Sequence, residues 1–176
     1  MASKRRLGLL DWIVLLFYPA ARAPQRILET RLVYYPFWFV GAQLSFSRPG
    51  TKPRVEYQFV AVDGFFLTAN KVIGAPQAEE TEVEAANVVL SLSDEQRATG
   101  TALEYLNKTS SLRYKKVPEM KALEVRHIYK PYYLLSCDRG GKHYHIAYDA
   151  ESGARNYYLD VKARDLRFEK AKVEKE

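Results

Sequence analysis

The chain reads as an α+β protein: two units, each a helix with a three-stranded antiparallel meander, arranged as a tandem repeat behind an apolar N-terminal helix. Three observations predict this. Apolar and aromatic residues recur in short runs separated by Gly, Pro, Asn and Asp clusters, the pattern of antiparallel strands. A run with a clear helical start, Ser93-Asp94-Glu95, falls mid-chain. A Tyr-x-Pro-aromatic pattern occurs twice, at residues 34–39 and 129–134, with its prolines 95 residues apart.

The elements follow in order. Residues 1–31 are an apolar, basic helical segment: Lys4-Arg5-Arg6, a run from Leu7 to Tyr18, Pro19, and a second helical stretch from Gln25 to Thr30. The run is too short to span a bilayer, which needs about 20 residues. Asp11 inside it and Pro19 at its end weigh against an export or anchor signal. Two readings stay open: a helix buried in the protein or a partner, or one lying in an anionic membrane interface. In the second, Trp12, Ile13, Leu16 and Phe17 meet lipid while Arg22 and Arg26 meet headgroups.

Residues 32–77 form the first meander. The stretch 32–47 is rich in β-branched and aromatic residues, although Pro36 requires an edge or a bulge there. In residues 54–62, Val55, Tyr57, Phe59 and Ala61 alternate onto one face. Asp63-Gly64 is a hairpin signal, and Phe65 to Asn70 returns as a third strand. A linker rich in Gly, Pro and Glu follows.

Residues 78–161 are the second unit. Ser93 is the expected N-cap, and the helix runs to about Asn107 with Ala98, Ala102, Tyr105 and Leu106 inward. An irregular basic connection from Thr109 to Met120 leads to a strand over 123–137. A turn at Asp138–Gly141, a strand over 142–148, a turn at Asp149–Gly153 and a returning strand over 154–161 complete it. Gly64 and Gly153 are expected to adopt positive φ. Residues 162–176 alternate charge sign, as a solvated helix or tail does.

Composition bounds the function. With 176 residues, 47% hydrophobic and 27% charged, the chain is neither disordered, collagen-like nor a coiled coil. One cysteine, Cys137, excludes an internal disulfide and a Cys-rich zinc site. The net charge of +6 suits nucleic acid or an anionic surface. An acidic block over 78–104, one Arg against seven acids, interrupts any continuous basic face.

Few residues suggest chemistry. His143 and His145 share a strand face, with His127 expected on a neighbouring strand, yet neither a metal-binding motif nor a Cys–His pair with an orienting group accompanies them. The expectation is therefore no enzyme, no metal and no cofactor. Arg113, Lys115, Lys116, Arg126, Lys130 and Tyr132 form a candidate ligand or nucleic-acid face.

Residues 92–158 resemble a PepSY-type domain. The resemblance rests on Ser93-Asp94-Glu95, on the alanine-bearing helix ending Ala102-Leu103-Glu104-Tyr105-Leu106, and on the final turn Tyr148-Asp149-Ala150-Glu151-Ser152-Gly153. It implies a non-catalytic binding or inhibitory module at or outside a membrane. The expected function is thus a binding or regulatory module acting on a protein partner or a membrane surface, cytoplasmic or peripheral, with homo-oligomerisation open. The alternative is a nucleic-acid-binding module using a basic-aromatic sheet face.

Overall fold

A computed structural model of the chain describes residues 25–47 and 49–169. Its five strands are β1 (Arg26–Phe46), β2 (Arg54–Asp63), β3 (Ala69–Val72), β4 (Glu119–Arg139) and β5 (Lys142–Asp149). They form one antiparallel sheet in the order β3-β2-β1-β4-β5. Among the described residues two α-helices accompany it, α1 (Glu95–Tyr114) and α2 (Tyr157–Lys162). This corrects the expectation of two helix-plus-meander units. Two separate meanders would leave four unpaired strand edges, and placing β1 beside β4 removes two of them. The stretch from Gln25 to Thr30, expected as helix, instead opens β1, because so short a segment gains more from sheet pairing than from a marginal helix.

The chain divides into two compact units: Val33–Pro131 with residues 166–169, and residues 25–32 with Tyr132–Asp165. In the first, β1 pairs β2 from Phe37↔Asp63 to Phe46↔Arg54, and β3 extends the sheet from Phe59↔Val72 to Val62↔Ala69. One face, bearing Val40, Ala42, Leu44, Phe46, Val60 and Val62, lies under α1. The helix meets it with Ala98, Ala102, Leu106 and Ser110, a stripe at four-residue spacing in which Ala98, Ala102 and Ser110 are small and Leu106 fills the core. Asp94, rather than Ser93, caps α1: its Oδ1 accepts from Arg97 N at 2.8 Å. The helix also runs past Asn107 to Tyr114. Thr109 Oγ1 donates to Tyr105 O at 2.9 Å, which occupies its hydroxyl within the helix, and the helix ends where Lys115 turns left-handed at φ 52°.

Gly64 holds this unit together in a way different from the one expected. It does not adopt a positive φ. A Cβ there would sit 2.9 Å from Pro36 Cβ and 3.0 Å from Pro36 O, so close approach, not backbone sign, demands glycine. Gly64 N donates to Pro36 O, and its own carbonyl accepts from Leu92 N, Ser93 N, Ser91 Oγ and Ser93 Oγ.

In the second unit β4 pairs β5 from Tyr132↔Asp149 to Arg139↔Lys142. Residues 154–161, expected as a returning strand, instead run along the outer edge of β5 and wind into α2. Asn156 caps this helix, its Oδ1 accepting from Leu159 N. The segment satisfies the edge of β5: Asp149 N donates to Ala154 O, Asn156 N to Ala147 O, and Ala147 N to Asp160 Oδ1 at 2.6 Å. At Ala147–Asp149 the edge plugged this way is closed to another strand.

Asp63 and Asp149 close turns of the same construction. Each Asp N donates to the carbonyl five residues on, each Asp O accepts from the N–H four residues on, and each Oδ1 accepts from the N–H groups two and three residues on. The left-handed position is Leu67 (φ 57°) in one and Gly153 (φ 68°) in the other. Opposite each Asp stands the aromatic residue following a proline, Phe37 after Pro36 and Tyr132 after Pro131.

Candidate functional site

The site is a basic cleft in the first unit, where the end of the β1–β2 hairpin meets the C-terminus of α1. It has a volume of about 280 Å³ and is lined by Phe46, Thr51, Lys52, Arg54, Tyr114 and Lys116. Local sequence explains each contributor. Phe46 ends β1 and Arg54 begins β2, so Pro49 to Pro53 form the loop carrying Lys52. Tyr114 is the last residue of α1 and continues the four-residue stripe that points at the sheet. The left-handed turn at Lys115 then throws Lys116 toward the loop, where Lys116 Nζ donates to Ser47 O.

Tyr114 is the centre of the site. Its ring meets Phe46 edge-on at 4.8 Å, with the guanidinium carbons of Arg113 and Arg54 at 5.2 and 5.6 Å. Its hydroxyl donates to Glu56, at 3.0 Å from Oε1 and 3.1 Å from Oε2. Arg54 lies 2.6 Å from Glu56 Oε1, and Gln58 Nε2 donates to Oε2 at 3.2 Å. Burial pushes the Glu56 carboxyl up, but the Tyr114 and Gln58 hydrogen bonds, with Arg54 and Arg113, outweigh it and hold the group below its ordinary value. Four cations thus meet at Tyr114: Lys52, Arg54 and Lys116 line the cleft with it and Arg113 lies over its ring, while the one carboxylate, Glu56, has both oxygens already engaged. The excess positive charge is left for a ligand.

Of the candidate ligand face, Lys116 lines this cleft and Arg113 lies over the Tyr114 ring, while Lys115 is the left-handed cap between them and is not among the lining residues. Arg126 is not: it lies over the Phe39 ring at 5.4 Å, with Nε 2.7 Å from Glu124 Oε1 at an angle too poor for a hydrogen bond. Lys130 stands farther along β4 and Tyr132 is buried opposite Asp149, so no single basic-aromatic sheet face forms from these six residues. Arg26 is exposed at the start of β1, whereas Trp12, Ile13, Leu16, Phe17 and Arg22 lie outside the described residues. Sequence reasoning did not assign Lys52 and Arg54 to the site. They sit in a turn and a strand start some 60 residues from Tyr114, and nothing in the chain's local pattern links the two places.

The histidines do not converge. His143 and His145 share a face with Asp138 and Ser136, yet His143 Nδ1 is 3.8 Å from Asp138 Oδ2 and His145 Nδ1 is 3.4 Å from Ser136 Oγ. Burial, aided by Arg164 and opposed by Glu29, lowers the pKa of His145. His127 belongs to the other unit, its ring stacked on Trp38 at 4.4 Å and its pKa lowered by burial against a smaller opposing pull from Glu169. Cys137 is buried, with Gln25 Nε2 at 3.5 Å from its sulfur. Among the described residues no three His, Cys, Asp or Glu side chains group to hold a metal, and no helix is long and apolar enough to cross a membrane.

Comparison with family models, curated proteins and solved structures returns no match.

Proposed function

We propose that the protein is a non-enzymatic binding module that takes an anionic partner into the cleft around Tyr114. The observation that carries this reading is the gathering of four cations from two distant segments at Tyr114, beside a single carboxylate that is already hydrogen-bonded and paired. Glu56 accepts from Tyr114 and Gln58 and pairs with Arg54, so three donors hold it in place and it fixes the cleft's geometry. The PepSY-type resemblance of residues 92–158 points to the same class of function.

Nucleic acid is the alternative reading, through its phosphates rather than its bases. Bases need a free aromatic face for stacking, and the guanidinium groups of Arg54 and Arg113 already lie over the Tyr114 ring. The test is binding of the intact chain to immobilised heparin across a salt series. Lys52→Gln, Lys115→Gln and Lys116→Gln combined should elute at clearly lower salt and show a shallower salt dependence. Elution of the triple variant with the parent would sink the reading.

A further inference from the structure

We infer that the partner is an anionic lipid surface, with a headgroup phosphate in the cleft and Leu112 and Val117 entering the bilayer interface beside it. The inference rests on the cleft being the anion-binding site. Two further observations name the ligand class. Leu112, on the last turn of α1, is 76% exposed, and Val117, directly after Lys116, is 65% exposed. Neither side chain serves the core beneath α1, and both belong to the short segment that supplies Arg113, Lys115 and Lys116.

Large exposed apolar residues at either end of a cationic run suit an interfacial lipid-binding segment: the cations meet phosphates and the apolar tips leave water. A soluble polyanion uses only the first half of this pattern. Glu56 does not oppose the docking, because its charge is matched inside the cleft by Arg54 and Arg113. Glu119, at the start of β4, is the acid next along the chain, and the cations outnumber both.

The test is co-sedimentation of the full chain with phosphatidylcholine vesicles with and without phosphatidylserine, alongside binding to heparin and to single-stranded DNA. The parent should pellet with the phosphatidylserine vesicles and not with the neutral ones. Lys52→Gln with Lys116→Gln should weaken that partitioning about 30-fold, at about 1 kcal/mol per cation. Leu112→Ser with Val117→Ser should weaken it about tenfold or more while leaving heparin binding unchanged. As a direct readout, Val117→Trp in a Trp12→Phe, Trp38→Phe background should blue-shift its emission on phosphatidylserine vesicles. Vesicle binding indifferent to the serine substitutions, with heparin binding still sensitive to the lysines, overturns the lipid inference and leaves the anion site standing. Tight single-stranded DNA binding without vesicle binding does the same. If the lysine substitutions change neither ligand, both readings fall.

Discussion

Gly64→Ala tests the packing argument most sharply. The added methyl would sit 2.9 Å from Pro36 Cβ, 3.0 Å from Pro36 O and 3.1 Å from Ser91 Oγ. Carbon atoms prefer a separation of about 3.5–4.0 Å, so the backbone must part by roughly half an ångström. Neither the proline ring nor its carbonyl can swing away, as a long side chain could. Any such shift also stretches the bonds from Leu92, Ser93 and Ser91 that converge on the Gly64 carbonyl and anchor the approach to α1. Overpacking of this kind costs about 1–3 kcal/mol. For a chain of this size that lowers Tm by about 2–4 °C per kcal/mol. The assay is thermal unfolding by circular dichroism, with urea titration to confirm an unchanged m-value. Gly100→Ala is the control, since nothing lies within 4 Å of its added Cβ. If Gly64→Ala melts within a degree of the parent, the close approach to Pro36 does not constrain this residue.

The other predictions use the same assays. Gly100→Ala should stabilise by about 0.5–1 kcal/mol, because it replaces glycine inside an exposed helical turn; a lower urea midpoint would refute the helical reading. Gly153→Ala should lose about 1 kcal/mol despite open space around it, since its φ of 68° opposes any Cβ. Asp63→Ala should cost about 1–3 kcal/mol for each donor left unmatched among Tyr35 Oη, Phe65 N and Phe66 N. Asp63→Asn, which keeps an acceptor for the two N–H groups, should cost much less. Burial pushes the Asp63 carboxyl above its usual 3.8 despite those hydrogen bonds. A pKa raised in the native state means the native protein binds the proton more tightly. The parent should therefore gain stability relative to Asp63→Asn as pH falls from 7 through that raised value toward 3.8. Urea midpoints that diverge in the opposite sense would contradict it.

Much of this protein is written locally. The strand over 54–62 follows from alternation, although the face of Val55, Tyr57, Phe59 and Ala61 turns away from α1 and Val60 and Val62 take the core. The helix beginning near residue 94 follows from capping chemistry and alanines four residues apart. The turn at Asp149 was equally legible: Asp and Gly supply the side-chain acceptor and the left-handed φ within five residues. At the matching turn the left-handed place went to Leu67, which no turn rule selects. Its side chain packs against the core under α1, and that burial outweighs the backbone strain.

Tertiary structure decided the rest. Residues 154–161 have the aromatic, β-branched composition of a strand, but the open edge of β5 needs hydrogen-bond partners. Asn156 and Asp160 supply them from a capped helical turn and the segment leading into it. Gly64 was legible as a turn residue, whereas its contact with Pro36 depends on β1 and β2 lying in register. The cleft is the extreme case, since Lys52, Arg54, Tyr114 and Lys116 meet only because α1 lies across the face of β1 and β2. Local sequence dictates which φ and ψ each residue prefers and which face its side chain takes. Which charges end up neighbours is set by long-range burial of apolar surface, a sum over the whole core that no short window of the chain contains.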